Sequence, residues 1–485
     1  MRTLRRHSRT LANLATASIA AVALAGCTLG PDYARPAAET PATYKEAQGW
    51  KTATPIDHEP RGNWWAVFND AQLDGLLSQV EISNQTIKAA EARVREARAL
   101  TEQAQAAYFP IVSANASATR SGGRAGSNTN LGNGLQSGAP RNSFNVALDV
   151  NWELDLWGRV RRTVEAGEAT AQASVADLEA AKLSAQAQLA SNYFLLRALD
   201  AEIRLFTDTV DAYQKSLQLT RNQYAVGVAA RADVAQAETQ LKSTQAQALD
   251  AGVQRAQLEH AIAVLLGKLP ADFSIAAEPV PIVYPPIPPG LPSELLERRP
   301  DIAAAERRAA AANAQVGVAE AAFFPSLTLS ATGGFQNSVL SQLFSAPSRY
   351  WSLGPALAQT LFDAGLRRAQ SAQAMAAYDE NVANYRQTVL AGFQEVEDNL
   401  AALRILEDEA AVQDEAVKSA RESLTITLNQ YRAGTANYLA VVVAQATALA
   451  NERAALAILG RRLIASVTLI KALGGGWNAA ELPAR

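Results

Sequence analysis

Few side chains in these 485 residues could make or break a bond. Three histidines (His7, His58, His260) and one cysteine (Cys27) are too few and too scattered for a metal cluster or a disulfide framework. No Gly-x-x-x-x-Gly-Lys-Ser/Thr loop is present to cradle a nucleotide. No serine, histidine and acid set and no paired catalytic carboxylates can be assembled either. The chain is therefore expected to be no enzyme, to use no cofactor or metal, and to take any driving energy from elsewhere. The one residue placed for chemistry is Cys27. It follows a basic start (Arg2, Arg5, Arg6, Arg9) and an apolar middle from about Leu11 to Leu24, the layout of an export signal.

The run Leu24-Ala25-Gly26-Cys27 resembles the lipobox of bacterial lipoproteins, in which cleavage leaves the cysteine at the amino terminus with fatty acyl chains. The other reading is a signal peptide cut near Ala25 with an incidental cysteine. Thr28, where sorted lipoproteins retained inside would carry Asp, favours the outer membrane by the same resemblance. Each buried acyl methylene contributes ~0.8 kcal/mol, so outer-membrane lipid could hold the chain without a membrane-spanning helix. No later apolar run reaches the ~18 residues such a helix needs. A formal charge of −3, from 44 basic and 47 acidic residues, points to no nucleic-acid partner.

Positioning falls to a repeated framework. Val175, Leu189, Leu196, Ile203, Val210, Leu217 and Tyr224 lie on a seven-residue ladder broken only by Lys182. Val382, Val389, Val396, Leu403, Ala410, Val417, Leu424 and Tyr431 climb the same rungs 207 residues later. Such a pattern without proline reads as coiled-coil helix, and a run from Gly158 to Tyr224 would be on the order of 100 Å long. Each long helix ends in a matching turn, Asn222-Gln223-Tyr224-Ala225-Val226-Gly227 and Asn429-Gln430-Tyr431-Arg432-Ala433-Gly434, and is followed by a returning helix, the first from about Asp233 to Leu266.

Before each long helix the period changes to two. Val112, Ala114, Ala116 and Ala118 alternate with Ser113, Asn115, Ser117 and Thr119. After a Gly/Ser/Asn loop, Phe144, Val146, Leu148, Val150, Trp152 and Leu154 alternate with polar residues. The second copy repeats this with Leu327, Leu329 and Ala331, then Trp351, Leu353, Leu357 and Leu361. One polar and one apolar face suits an outer-membrane barrel strand and equally a half-buried soluble sheet. Pro110 and Pro325 are 215 apart, so the first hairpin is 8 residues longer, an excess placed in its loop.

The expected organisation is a leader (1–26), a tether (27–62), a first repeat (63–278), a proline-rich linker (279–292), a second repeat (293–473) and a tail (474–485). The linker could instead be a proline-recognition segment. Trp64-Trp65 reads as a packing anchor, with ligand binding as the alternative. A helix is expected from about Leu73 to Ala107. Four strands per chain cannot satisfy their edges in lipid; three chains could close a twelve-stranded barrel. A simple two-stranded coil would explain the ladders but not the repeated join of hairpin to long helix.

The Trp64-to-Asp70 stretch, Leu295-Leu296-Glu297-Arg298-Arg299-Pro300-Asp301-Ile302, Tyr431-Arg432-Ala433-Gly434 and Lys471-Ala472-Leu473-Gly474-Gly475-Gly476-Trp477 resemble, in this order, the TolC-like outer-membrane factors, closest to their lipoprotein branch. The resemblance covers nearly the whole mature chain. It implies an α+β membrane channel: a homotrimer with a twelve-stranded β-barrel, four strands per chain, continuous with a long periplasmic α-helical barrel, lipid-anchored in the outer membrane. It implies a passive exit duct for drugs or other toxic small molecules, recruited by a periplasmic membrane-fusion adaptor and an inner-membrane pump of the resistance-nodulation-division type. The competing reading is a lipid-anchored periplasmic coiled-coil adaptor, which would show one helical hairpin and not a doubled unit.

The same resemblance implies a pore gate just after the second turn, where relatives carry a leucine ring and, one helical turn on, an aspartate ring. Leu439 matches the leucine; Val443 stands where the aspartate would be. Carboxylates would attract cations and respond to pH, whereas leucine and valine would close a pore by excluding water. The alternative is that both residues merely pack on a neighbouring helix. Asp233 is the remaining acid near the first turn, as a pore group or as a helix cap.

Overall fold

A computed structural model describes residues 28–46, 63–122, 140–278, 295–477, 480 and 482. Cys27, the leader, most of the first hairpin loop and the proline-rich linker lie outside them. In chain order the elements are α1 (Ala71–Ser83), α2 (Gln85–Ala106), β1 (Ile111–Ser121), β2 (Arg141–Leu154), α3 (Arg159–Ala225) and α4 (Arg231–Leu265). After a single turn at Leu295–Arg298 come α5 (Pro300–Ala321), β3 (Ser326–Asn337), β4 (Arg349–Ala358), α6 (Leu366–Arg432) and α7 (Tyr438–Ala472). Both long helices are 67 residues and both returning helices 35.

The helix expected from Leu73 to Ala107 is two helices. Asn84 divides them because its side-chain oxygen accepts from the backbone of Thr86 (2.8 Å) and Ile87 (3.1 Å), starting a new helix at the point where α1 ends. β4 also stops short of Leu361, which lies beyond its last residue.

The described residues form two compact units. The first draws on 28–36, 95–171 and 306–383 and contains the sheet, antiparallel in the order β1-β2-β3-β4. Its register aligns like with like. Val112, Val150, Ala331 and Leu353 share one row, and Ala114, Leu148, Gly333 and Trp351 the next, all on one face. Ser113, Asp149, Thr332 and Ser352 share a row on the other face. There Asp149 accepts from Asn115 (2.5 Å) and Thr332 (2.6 Å), and Tyr350 donates to Asn145 (2.9 Å). Among the described residues, no strand lies beside the outer edges of β1 and β4.

In the same unit the start of the tether forms neither helix nor strand but is held in place. Arg162 donates to the carbonyls of Leu29 and Gly30 (both 3.1 Å) and pairs with Asp32 (2.9 Å). Tyr33 donates to the buried Glu306 carboxylate at 2.6 Å.

The second unit, from 37–94, 172–305 and 384–485, holds the largest core. Trp64, Trp65, Phe68, Leu77, Leu189 and Ile262 are among its buried members. The two indoles meet edge to face at 5.7 Å, and Trp64 donates to Gln186 (3.0 Å). They are a packing anchor. Asp70 caps α1 through Gln72 and Leu73 and accepts from the Tyr193 hydroxyl at 2.7 Å. Burial, with help from the Asp70 charge, pushes that phenol up to about 12.

The two copies close in the same way with different residues. Asn84 donates to the Leu265 carbonyl at the end of α4 (2.8 Å); Arg299, at the matching place, donates to the Ala472 carbonyl at the end of α7 (3.1 Å). Gly267 and Gly474 follow those helix ends in left-handed conformation, φ +65° and +92°, and a Cβ on either would collide with the carbonyl oxygen of Ser83 or Arg298. Arg299 is buried and forms a bidentate pair with Asp301 (3.0 and 2.6 Å) and a bond to Glu395 (2.8 Å). Burial pulls its pKa down, but the two carboxylates outweigh burial and hold it above the usual arginine value.

Candidate functional site

The candidate gate lies where the long helices turn back. Gly227 (φ +80°) and Gly434 (φ +74°) supply the left-handed residue that ends each helix. In the first turn Gly227 donates to the Tyr224 carbonyl (3.0 Å) and Val228 to Gln223 (2.8 Å); in the second Gly434 donates to Tyr431 (3.0 Å) and Thr435 to Gln430 (2.9 Å). The backbone is the same turn twice.

The helices behind the turns are joined by a mixed cluster of Tyr213, Leu217, Val234, Ala237, Leu241, Tyr431, Tyr438 and Val441. Tyr431 and Tyr438 meet edge to face at 5.3 Å. Their hydroxyls find partners across the copies: Tyr431 donates to Thr220 (3.2 Å), and Tyr438 lies 3.5 Å from the Ser216 hydroxyl. Gln240 donates to Tyr213 (3.4 Å). Burial pushes all three phenols up, so they remain neutral donors and acceptors. At the rim of this cluster Arg221 pairs with Glu238 (2.7 Å), holding its carboxyl below the usual range, and Arg421 pairs with Glu452. Sequence reasoning assigned no role to Tyr213, Ser216, Thr220 or Tyr438. A signal existed for the last, because Tyr438 extends the ladder one rung past Tyr431.

The start of α7 presents two faces. Asn437 caps it by accepting from Ala440 (3.0 Å). Tyr438 and Val441 point into the cluster, while Leu439 and Val443 are 54% and 57% exposed on the other side. One helical turn separates them, so they share a face. Asp233 is a cap: its carboxylate accepts the Ala230 N–H at 3.0 Å at the start of α4. Among the described residues no cluster of His, Cys, Asp or Glu is arranged to hold a metal.

The comparisons with known proteins agree with one another. The model of a family described as outer membrane efflux protein matches residues 76–268 and 291–475. The toluene efflux pump outer membrane protein TtgC of Pseudomonas putida is 32% identical over 468 residues, covering 96% of each chain. The cation efflux system protein CusC of Escherichia coli O6:H1 is 30% identical over 461 residues, 94% of this chain and 97% of its own. Among solved structures, the outer-membrane channel OprN superposes with a TM-score of 0.86 at 32% identity, over 93% of this chain and 100% of that one. These matches do not favour the adaptor reading, and they supply what the two bare sheet edges ask for, since a trimer of four-stranded chains closes a twelve-stranded barrel. The chain belongs to the outer membrane efflux protein family, and is an outer-membrane exit duct: a passive channel, not an enzyme.

Proposed function

We propose that this duct is closed at its helix turns by an apolar seal made of Leu439 and Val443. What supports the reading is the division of α7, with Tyr438 and Val441 committed to the core and Leu439 and Val443 left exposed one turn apart. Three copies would give two apolar rings, which close a narrow pore by shedding water. The acid nearest in sequence to the first turn, Asp233, is engaged as a cap. The test is conductance of the trimer in planar bilayers. Changing both residues to serine should raise the closed-state conductance; an unchanged closed state would mean that they only pack on a neighbouring helix.

Partners and cargo follow from the same reading. Relatives named as outer membrane proteins of toluene, antibiotic and cation efflux systems share this architecture. We therefore assign small toxic compounds as cargo and leave the choice among them to an inner-membrane pump, of the resistance-nodulation-division class, with a periplasmic adaptor. Reading frames for both beside this one on the chromosome would support the assignment. Acyl chains on Cys27 would add a lipid anchor to the barrel, and labelled palmitate that is lost in Cys27→Ser checks it.

A further inference from the structure

The apolar face of the sheet carries charge at one end only. On the face shared by Val112, Leu148, Leu329 and Trp351, the charged residues of the four strands are Arg120 and Arg349 alone. Arg120 is opposite Asn142 near the end of β1, and Arg349 opposite Phe335 at the start of β4. Both therefore lie at the hairpin-loop end, away from α2, α3, α5 and α6, which in an outer-membrane channel is the outward end. Both are exposed, and among the described residues neither guanidinium has a hydrogen-bond or ion-pair partner.

Inboard of the two cations the same face is apolar. Below Arg349 on β4 come Trp351, 79% exposed, then Leu353 and Leu357; Phe335 beside it packs on Phe344 at 5.5 Å. A lipid-facing arginine is costly at the bilayer midplane and tolerated near the interface, so these positions suit a cation at the headgroup level. The order from rim inward, guanidinium then exposed aromatic and aliphatic surface, matches an amphiphile with an anionic headgroup. Guanidinium is the side chain that grips phosphate with two bonds. β1 and β4 are the free edges, so barrel closure puts Arg120 of one copy and Arg349 of the next on adjoining strands.

We propose that Arg120 and Arg349 bind the phosphate of an outer-leaflet glycolipid of the lipid A class at the seam between copies, an inference that rests on the trimeric channel. Arg141 provides an internal control, being at the same end of the sheet but on the polar face. The experiment is native mass spectrometry of the detergent-purified trimer with lipid A, dephosphorylated lipid A or inorganic phosphate added, with a heat-lability gel on each sample. Lipid A retention should fall about tenfold or more in the Arg120→Gln/Arg349→Gln variant, the loss of charge-assisted bonds. It should fall as far when dephosphorylated lipid A is offered to the unaltered protein. Retention should be unchanged in Arg141→Gln and in the presence of equimolar inorganic phosphate. The site is overturned if dephosphorylated lipid A is retained equally, if the double variant binds as before, if Arg141→Gln loses as much, or if free phosphate displaces the lipid. Those outcomes with a heat-labile trimer present leave the channel standing; a monomeric unaltered protein overturns both.

Discussion

Gly227 and Gly434 make the same turn 207 residues apart, and the helices that leave them diverge on one face only. On the inner face Val234 and Val441 are both buried, as are Ala237 and Ala444. On the outer face Ala232 and Gln236 of the first copy correspond to Leu439 and Val443 of the second. The caps differ as well: an acid bonded back to Ala230 in the first, the Asn437 amide in the second. The last rung of the ladder follows suit, since Tyr224 is 46% exposed and Tyr431 only 5%. Duplication has kept what holds the helices together. What they present outward was free to change, because exposed positions are not constrained by close packing. Only the second copy offers a pair of large apolar side chains there.

The sharpest break of this comparison is to treat matched pairs alike. Leu439→Ser/Val443→Ser should raise closed-state conductance by more than an order of magnitude, a loss of sealing of the kind hydrophobic constrictions supply. Ala232→Ser/Gln236→Ser in the first copy should leave it unchanged. Equal effects would dissolve the distinction between the copies.

The two closing contacts separate next. Arg299→Ala removes a buried guanidinium with its bonds to Asp301, Glu395 and the Ala472 carbonyl. Both carboxylates stay partly solvated, so the loss is that of charge-assisted hydrogen bonds, ~1.5–3 kcal/mol. Asn84→Ala removes a cap worth ~1 kcal/mol. Trimer melting followed by gel mobility should therefore drop further for the first change than for the second.

A smaller effect comes from Tyr193. Its phenol is raised from 10.0 to about 12, so the folded state favours the neutral form. That contribution is complete below pH 10 and is lost as pH rises from 10 to 12. Melting temperature should fall more steeply over that window in the unaltered protein than in Tyr193→Phe. The smallest change is expected from Val443→Asp. Acid there would be ionised above its ordinary value of ~3.9, so cation selectivity should rise with pH. The unaltered gate should stay flat across that same range, from about pH 3 to 5, because neither leucine nor valine titrates.

Much of this was legible in the chain. The ladders marked the long helices to within one residue of their ends, at Tyr224 and Tyr431, and Gly158 marked the start of the first, since a sustained heptad spacing of apolar side chains is the pattern of a helix packed along one stripe. The switch to period two marked all four strands and their faces, because successive side chains of a strand point to opposite faces and here one face is apolar and the other polar. The Asn84 break was missed. Its signal is a side chain bonding to backbone two and three residues ahead, and the surrounding apolar spacing continues through it. Arg299 stood in a motif, but its role depends on Glu395 and Ala472, distant in sequence.

Periodicity and the order of repeated segments were decided by the sequence itself, since each depends on neighbours along the chain. Which acid becomes a cap, which tyrosine sinks into the cluster and which arginines share the apolar face of the sheet were decided only in three dimensions. Those outcomes depend on what packs across the copies, and burial or pairing is a property of the surroundings and not of the residue.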